Sequence, residues 1–277
     1  MIYHFTTKAE WEAAKAEGVY LPKGYEKEKF IHCSDHYQLK RTANLLFKET
    51  PDLICLQIDT DLLDSPVVYE NLEGGEMLFP HIYGPLPVDA VKGTFEMVRD
   101  EAGNLILPPE QTFPGAPLLT ELPLGLAGKL FRSPTPGSWI FDPEDEVFAK
   151  YLEAKIDYVV VLSPEDETQK NSGGDLFKRY ADAGLKIVHA PTEDFSAPAT
   201  GWWDETIAQT IQLLSEGKHV VVHCHAGLGR TGMFVACLAQ DVLGLSADDS
   251  IAWTRQYIPW AIDTYLQKQF VRDYKRK

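Results

Sequence analysis

Two short apolar runs, Tyr158–Ser163 (YVVVLS) and His219–Cys224 (HVVVHC), constrain the fold more than any other feature of the sequence. Three consecutive valines favour a strand, and a strand without polar alternation is buried on both faces. A third strand is expected at Lys186–Thr192. Helical periodicity separates and follows these strands, which predicts βαβ units and a mainly parallel central sheet flanked by helices. The helices are expected at residues 143–155, 175–184, 204–217 and 229–244.

The first part of the chain has a different pattern. Residues 9–21 and 36–49 have helical periodicity, whereas residues 52–63 and 90–100 are typical of strands, so an α+β domain is expected. Proline and glycine are dense from Leu105 to Gly137, as in a linker or an extended covering segment. We predict an N-terminal domain over residues 1–104, a linker over 105–117 and a C-terminal α/β domain over 118–277.

The chain is strongly acidic, with a formal net charge of −15 at pH 7. Nucleic acids and anionic membranes bind basic surfaces, so this charge argues against both as partners. The first residues lack the charged and apolar regions of a signal peptide, and no run approaches the roughly 18 apolar residues of a spanning helix. We therefore expect a cytoplasmic protein that binds any anion through a local site.

The four cysteines are too few for a disulfide scaffold in a chain of 277 residues, and they lack paired C-x-x-C spacing. No metal site is predicted. Cys33, Cys55 and Cys237 are expected to be small buried apolar residues.

Cys224 differs because it stands at the carboxyl end of a central strand, where open α/β sheets bind ligands. The glycines that follow, Gly227 and Gly229, let backbone amides converge above a helix N-terminus, which forms a cradle for a phosphate-sized anion. The same amides favour the Cys224 thiolate. Arg230 can grip two phosphoryl oxygens, and Thr231 can hydrogen-bond the departing thiolate. The predicted phosphate-binding loop comprises His225, Ala226, Gly227, Leu228, Gly229 and Arg230.

The stretch His223, Cys224, Arg230, Thr231 and Gly232 resembles the signature His-Cys-x5-Arg-Ser/Thr-Gly of the cysteine-dependent tyrosine and dual-specificity phosphatases. The resemblance implies hydrolysis of phosphate monoesters through a phosphocysteine intermediate, with no cofactor. The alternative, a buried cysteine beside a helix-capping arginine, does not require the glycines, the strand and the helix together. A pseudophosphatase scaffold is disfavoured because a plausible acid is also present.

That acid is expected in HAPTEDFSAP, residues 189–198, which follows a strand and is bounded by prolines. The family's mobile acid loop has this arrangement, and the resemblance implies that Asp194 protonates the leaving group. Glu193 is the competing candidate, and an exposed turn carboxylate is the structural alternative. His189 and His225 are expected to be structural or rim residues.

Near the C-terminus, AIDTYLQKQF resembles a segment of the kinase-associated and related cell-division phosphatases. The resemblance implies that Gln267 places the hydrolytic water; a solvated polar residue of a helix is the alternative. Relatives often carry Arg-Pro-Gly where this chain has Ile258-Pro259-Trp260, which implies an altered entrance wall.

The substrate class stays open between a phosphoprotein, carrying phosphorylated Tyr, Ser or Thr, and a small phosphorylated metabolite. Lipid and inositol phosphatases of this superfamily often carry lysines in the signature loop. His225, Ala226 and Leu228 supply no permanent charge, so a multiply phosphorylated inositol is disfavoured.

The first half resembles the bacterial domain of unknown function 952, from about Ile2 to Val98. That family is similar in fold to the ADP-ribosyltransferases, which implies that His4 and His32 hold the ribose of NAD, with Glu76 and His81 as nearby polar groups. Satisfied structural histidines are the alternative. Two hypotheses follow: a phosphatase whose N-terminal domain recognises a substrate or partner, or an NAD-linked or ADP-ribose-phosphate enzyme whose phosphatase domain trims the nucleotide.

Overall fold

The computed structural model describes residues 1–72, 74, 77–111, 117–262 and 264–275. The chain divides into two compact units, residues 1–113 and 114–277. Within the described ranges, no helix combines the length and the apolar character that a membrane crossing requires.

The N-terminal unit is a small α+β domain, as predicted. Its elements are β1 (Ile2–Thr7), α1 (Lys8–Glu17), β2 (Val19–Tyr20), α2 (Tyr25–Glu28), β3 (Ile31–His32), α3 (Leu39–Leu46), β4 (Leu53–Ile58), β5 (Val67–Glu70), β6 (Phe79–Ile82), β7 (Leu86–Pro87), β8 (Val91–Glu96), β9 (Val98–Arg99) and β10 (Leu105–Ile106). Antiparallel sheets form in the orders β1-β4-β8 and β3-β6-β5, and β2 pairs with β7 and β9 with β10. Tyr3 and Phe5 of β1 pack against Leu39 and Ala43 of α3.

The end of the first helix and the start of the predicted linker differ from the prediction. The first helix ends at Glu17 because Gly18 adopts φ 78°, a left-handed cap, and the chain continues as β2 rather than as helix. The predicted linker begins with β10, which pairs with β9. Residues 112–116 lie outside the described residues, so the linker boundaries stay a prediction.

The C-terminal unit is an α/β domain. Its elements are β11 (Thr120–Leu122), β12 (Leu130–Ser133), α4 (Val147–Glu153), β13 (Tyr158–Val161), α5 (Glu165–Ser172), α6 (Leu176–Asp182), β14 (Lys186–His189), α7 (Asp204–Ser215), β15 (Val220–His223), α8 (Gly229–Leu243), α9 (Ala247–Tyr257) and α10 (Tyr265–Asp273). The five-stranded sheet has the order β11-β12-β15-β13-β14. Only the β11–β12 pair is antiparallel, so the sheet is mainly parallel, as predicted.

Both faces of this sheet are buried, which explains the unbroken valine runs. Val160 and Val222 point to a core shared with Phe234 of α8. Val159 and Val221 point to a second core on the opposite face, built with α4 and α6. The three central strands β12, β15 and β13 run parallel, and their carboxyl ends therefore meet at one edge of the sheet.

Candidate active site

The site is built on the loop between β15 and α8. Cys224 directly follows β15 and is 2% exposed. The hydroxyl of Thr231, in the first turn of α8, donates to Cys224 Sγ at 3.2 Å. The side chain of Thr135, which follows β12, donates to the Cys224 carbonyl, and its amide donates to the His225 carbonyl at 2.9 Å. The loop is therefore anchored to the end of a neighbouring strand.

Two glycines set the shape of the loop. Gly227 has φ +70°, and a Cβ there would stand 2.2 Å from the Ser133 carbonyl oxygen, so no larger residue fits without movement. A Cβ on Gly229 would stand 2.6 Å from Gln267 Nε2. The side-chain amide of Gln267, at the start of α10, therefore lies against the loop.

Arg230 is buried and held by two carboxylates. Its guanidinium donates to both oxygens of Glu167 at 2.7 and 2.8 Å and to the Thr192 carbonyl at 2.9 Å. Nη2 also lies 2.9 Å from Asp194 Oδ1. Burial alone would lower the pKa of Arg230, but the hydrogen bond to Glu167 and the neighbouring Cys224 and Asp194 raise it. The side chain is thus a permanent cation in a fixed orientation.

The structure brings Asp194, rather than Glu193, to this cation. The Asp194 side chain is 39% exposed at the mouth of the site. Glu193 is exposed and, like Asp194, follows β14. Its carboxylate is not among the partners of Arg230 in the described part of the chain. A phosphoryl group that binds Arg230 competes with the Asp194 carboxylate for the same guanidinium.

The histidines near the loop have packing partners. The His225 ring lies edge-on to Phe141 at a centroid distance of 5.0 Å, and burial lowers its pKa. The His189 ring contacts Phe177 and the Ser163 carbonyl. His223 is fully buried, and burial lowers its pKa to about 4. His223 is therefore neutral at physiological pH.

One cluster has the geometry of a cation site. Glu167, Asp194 and His225 each place one ligand atom within 4.8 Å of the others. Arg230 is the cation that contacts both of these carboxylates. The two carboxylates thus form ion pairs with the guanidinium of Arg230.

Sequence reasoning missed Glu167 and Arg132. Glu167 lies on α5, a helix that was not predicted, just after β13. Its position after the carboxyl end of a parallel strand was the available signal. Arg132 interrupts the apolar residues of β12 and is fully buried beside the loop.

The other three cysteines are buried and free, as expected. Burial raises the pKa of Cys33, Cys55 and Cys237, which keeps these thiols protonated.

The predicted nucleotide-binding residues are only partly brought together. His32 Nδ1 lies 3.2 Å from His81 Nε2, and His32 Nε2 lies 3.2 Å from Glu28. The His4 ring instead contacts the Tyr20 hydroxyl at 2.9 Å and the His32 carbonyl at 2.6 Å. His4 is buried, which lowers its pKa to about 4. Glu76 lies outside the described residues.

Two family models match separate parts of the chain. Residues 5–94 match the family described as "Protein of unknown function (DUF952)". Residues 138–241 match the family described as "Polymorphic toxin system, DSP-PTPase phosphatase". Both resemblances drawn from the sequence are confirmed, whereas nothing supports the further likeness to ADP-ribosyltransferases.

Curated relatives match only part of the chain. A segment of 99 residues is 39% identical to Protein tyrosine phosphatase domain-containing protein 1 of Danio rerio, covering 34% of this chain and 13% of that protein. A segment of 140 residues is 29% identical to Tyrosine-protein phosphatase cdc-14 of Caenorhabditis elegans, covering 50% of this chain and 18% of that protein. The chain therefore spans less than a fifth of these two relatives.

A solved structure of kinase associated phosphatase, with its catalytic-site cysteine replaced by serine, shares the fold. The TM-score is 0.52 at 20% identity, and the match covers 58% of this chain and 95% of that one. The C-terminal unit thus has the fold and the sequence signature of tyrosine and dual-specificity phosphatases. The hypothesis of an NAD-linked or ADP-ribose-phosphate enzyme is not favoured, because the N-terminal match is to a family of unknown function.

Proposed function

We propose that this protein hydrolyses phosphate monoesters through a phosphocysteine intermediate on Cys224, with phosphoproteins as substrates. The observation that carries the proposal is that a thiol, a buried arginine and a carboxylate lie close together at the carboxyl edge of the parallel sheet. Thr231 contacts Cys224 Sγ at 3.2 Å, and Arg230 contacts Asp194 at 2.9 Å.

In the first step, the Cys224 thiolate attacks phosphorus in line with the leaving oxygen. A P–S bond forms and the P–O bond to the leaving group breaks. Arg230 and the loop amides stabilise the charge on the phosphoryl oxygens. Asp194 gives its proton to the leaving oxygen, which departs as an alcohol or phenol.

In the second step, water attacks phosphorus, and the P–S bond breaks to return the Cys224 thiolate. The Asp194 carboxylate takes a proton from that water, and inorganic phosphate is released. The Thr231 hydroxyl stabilises the departing thiolate through its hydrogen bond to Sγ. Gln267 lies against Gly229 at the loop, from where its amide can orient the water.

Apolar surface beside the acid favours a phosphoprotein substrate. Phe195, next to Asp194, is 42% exposed. Trp202 is 55% exposed, and its ring nitrogen donates to the Pro191 carbonyl of the same segment at 3.0 Å. Exposed aromatic side chains are typical of surfaces that bind a peptide or a phenol ring. The relative in Danio rerio carries a protein tyrosine phosphatase domain in its name.

The test is hydrolysis of p-nitrophenyl phosphate, phosphopeptides and phosphorylated nucleotides by the full chain in the presence of a chelator. The proposal predicts turnover that the chelator does not abolish, because the thiolate replaces a metal-activated water. Cys224→Ser should remove turnover, whereas Cys237→Ala, at a buried thiol of α8, should retain it. Phosphopeptides should be preferred to nucleotides. Substantial hydrolysis by the Cys224→Ser variant refutes the mechanism.

A further inference from the structure

Arg132, on β12, is a buried cation beside the phosphate-binding loop. The residue is 0% exposed, and none of its three side-chain nitrogens has a hydrogen-bond partner among the described residues. Burial lowers the pKa of Arg132 to about 10, which leaves the guanidinium charged at neutral pH. An unpaired buried charge is strongly unfavourable, so another charge must compensate it.

The guanidinium lies against the phosphate-binding loop. In the parallel register of β12 and β15, Arg132 pairs with Val222, two residues before Cys224. A Cβ on Gly227 would stand 3.0 Å from Arg132 Nη1. The guanidinium of Arg132 therefore lies beside Gly227, in the loop that begins at Cys224.

The two arginines near Cys224 differ in their neighbours. Arg230 contacts Glu167 and Asp194, so two carboxylates already offset its single charge. Arg132 has no carboxylate partner in the described ranges, and the groups that act on its charge are Cys224 and Tyr151.

The other titratable groups near Arg132 are neutral, so the Cys224 thiolate is the counter-charge that remains for its guanidinium. Burial raises the pKa of Tyr151, so this phenol of α4 is neutral at neutral pH. Burial also lowers the pKa of His223, on β15, and of His225, in the loop. Neither imidazole is then a cation that could replace Arg132 in balancing Cys224.

We propose that Arg132 is a positioning residue that holds Cys224 in its thiolate form from the inner side of the loop. This role rests on the proposed function, since it serves the nucleophile. Arg132 is 0% exposed and lies beside Gly227, so it acts through the loop and Cys224 rather than by contacting a second phosphate. Arg230 binds the phosphoryl oxygens, whereas Arg132 stabilises the thiolate form of Cys224.

The test follows alkylation of Cys224 by iodoacetamide across a pH series in the full chain, with the modified peptide quantified by mass spectrometry. In Arg132→Met, the pH of half-maximal alkylation rate should rise by about one unit or more, as expected when a neighbouring opposite charge is lost. Below both midpoints the alkylation rate should fall about tenfold. Arg132→Lys keeps the charge and should stay close to wild type. Arg99→Met, on an exposed residue of β9, is the matched control and should change nothing.

A folded Arg132→Met variant with the wild-type midpoint overturns the proposal. If that variant does not fold, Arg132→Gln decides: this side chain keeps hydrogen-bonding groups but carries no charge, so a midpoint raised by about one unit supports the proposal and a wild-type midpoint overturns it. Failure of the proposed function is distinguishable, because wild type would then hydrolyse no phosphate ester whatever the alkylation profile of Arg132 variants.

Discussion

Replacing Gly227 with alanine tests whether the loop geometry drives the chemistry. The new Cβ would stand 2.2 Å from the Ser133 carbonyl oxygen, where at least 3.0 Å is needed, so the loop or β12 must move by about 0.8 Å. The positive φ of +70° adds about 1 to 2 kcal/mol of strain. Overpacking adds about 1 to 3 kcal/mol. We expect the free energy of unfolding to fall by about 2 to 5 kcal/mol.

The loss of activity should exceed what this destabilisation alone would cause in a folded protein. A displacement of about 1 Å in a catalytic group lowers the rate about a hundredfold, and kcat/KM for p-nitrophenyl phosphate should fall by that order. Gly184→Ala is the control, because Gly184 has φ +78° and no atom within 4 Å of the added Cβ. It should lose about 1 to 2 kcal/mol and retain wild-type kcat/KM. A folded Gly227→Ala enzyme with wild-type kcat/KM would refute the reasoning.

Four further substitutions test other parts of the account. Asp194→Ala should slow the hydrolysis of tyrosyl and alkyl phosphates by about 10² to 10⁴ while sparing esters with very good leaving groups. Glu193→Ala should slow the hydrolysis of neither type. Equal losses on both ester types in Asp194→Ala would assign the proton to another group. Glu167→Gln removes a charged partner of Arg230 and should lower kcat/KM about tenfold or more, so unchanged steady-state kinetics would show that this contact does not orient the arginine. Burial holds the pKa of His4 at about 4, below its ordinary 6.5, so the unfolded chain takes up the proton first as the pH falls between these values. The free energy of unfolding should then drop by up to about 1.4 kcal/mol per pH unit, and His4→Gln should reduce this slope in urea unfolding measured at each pH; an equal slope would be inconsistent with a buried neutral His4.

The central loop could be predicted because its chemistry is contiguous in the chain. Cys224, the two glycines and Arg230 lie within seven positions, between a strand and a helix whose periodicities are clear. Asp194 is predicted from the resemblance of its proline-bounded loop to the acid loop of the phosphatases, and its role as the acid stays a prediction.

Glu167, the partner of Arg230, and Arg132 could not be predicted in the same way. Glu167 lies on α5, which follows β13, and Arg132 lies on β12; both strands flank β15 in space but lie far from it in sequence. Their roles depend on strand order, which periodicity does not specify. In the N-terminal unit, alternation along β1 sends Tyr3 and Phe5 to the α3 side and His4 toward Tyr20. The predicted grouping of His4 with His32 therefore involves the His32 backbone rather than two facing rings.

The most direct test of the central claim is a search for the covalent intermediate. The full chain is mixed rapidly with p-nitrophenyl phosphate, quenched in acid and digested, and the peptide that contains Cys224 is examined by mass spectrometry. The account predicts one phosphoryl group on the Cys224 sulfur within the first turnover, enriched when Gln267 is replaced by alanine and absent from the Cys224→Ser variant. Rapid turnover by the wild-type chain with no phosphoryl group on Cys224 at any quench time, or with the group on another residue, would contradict it.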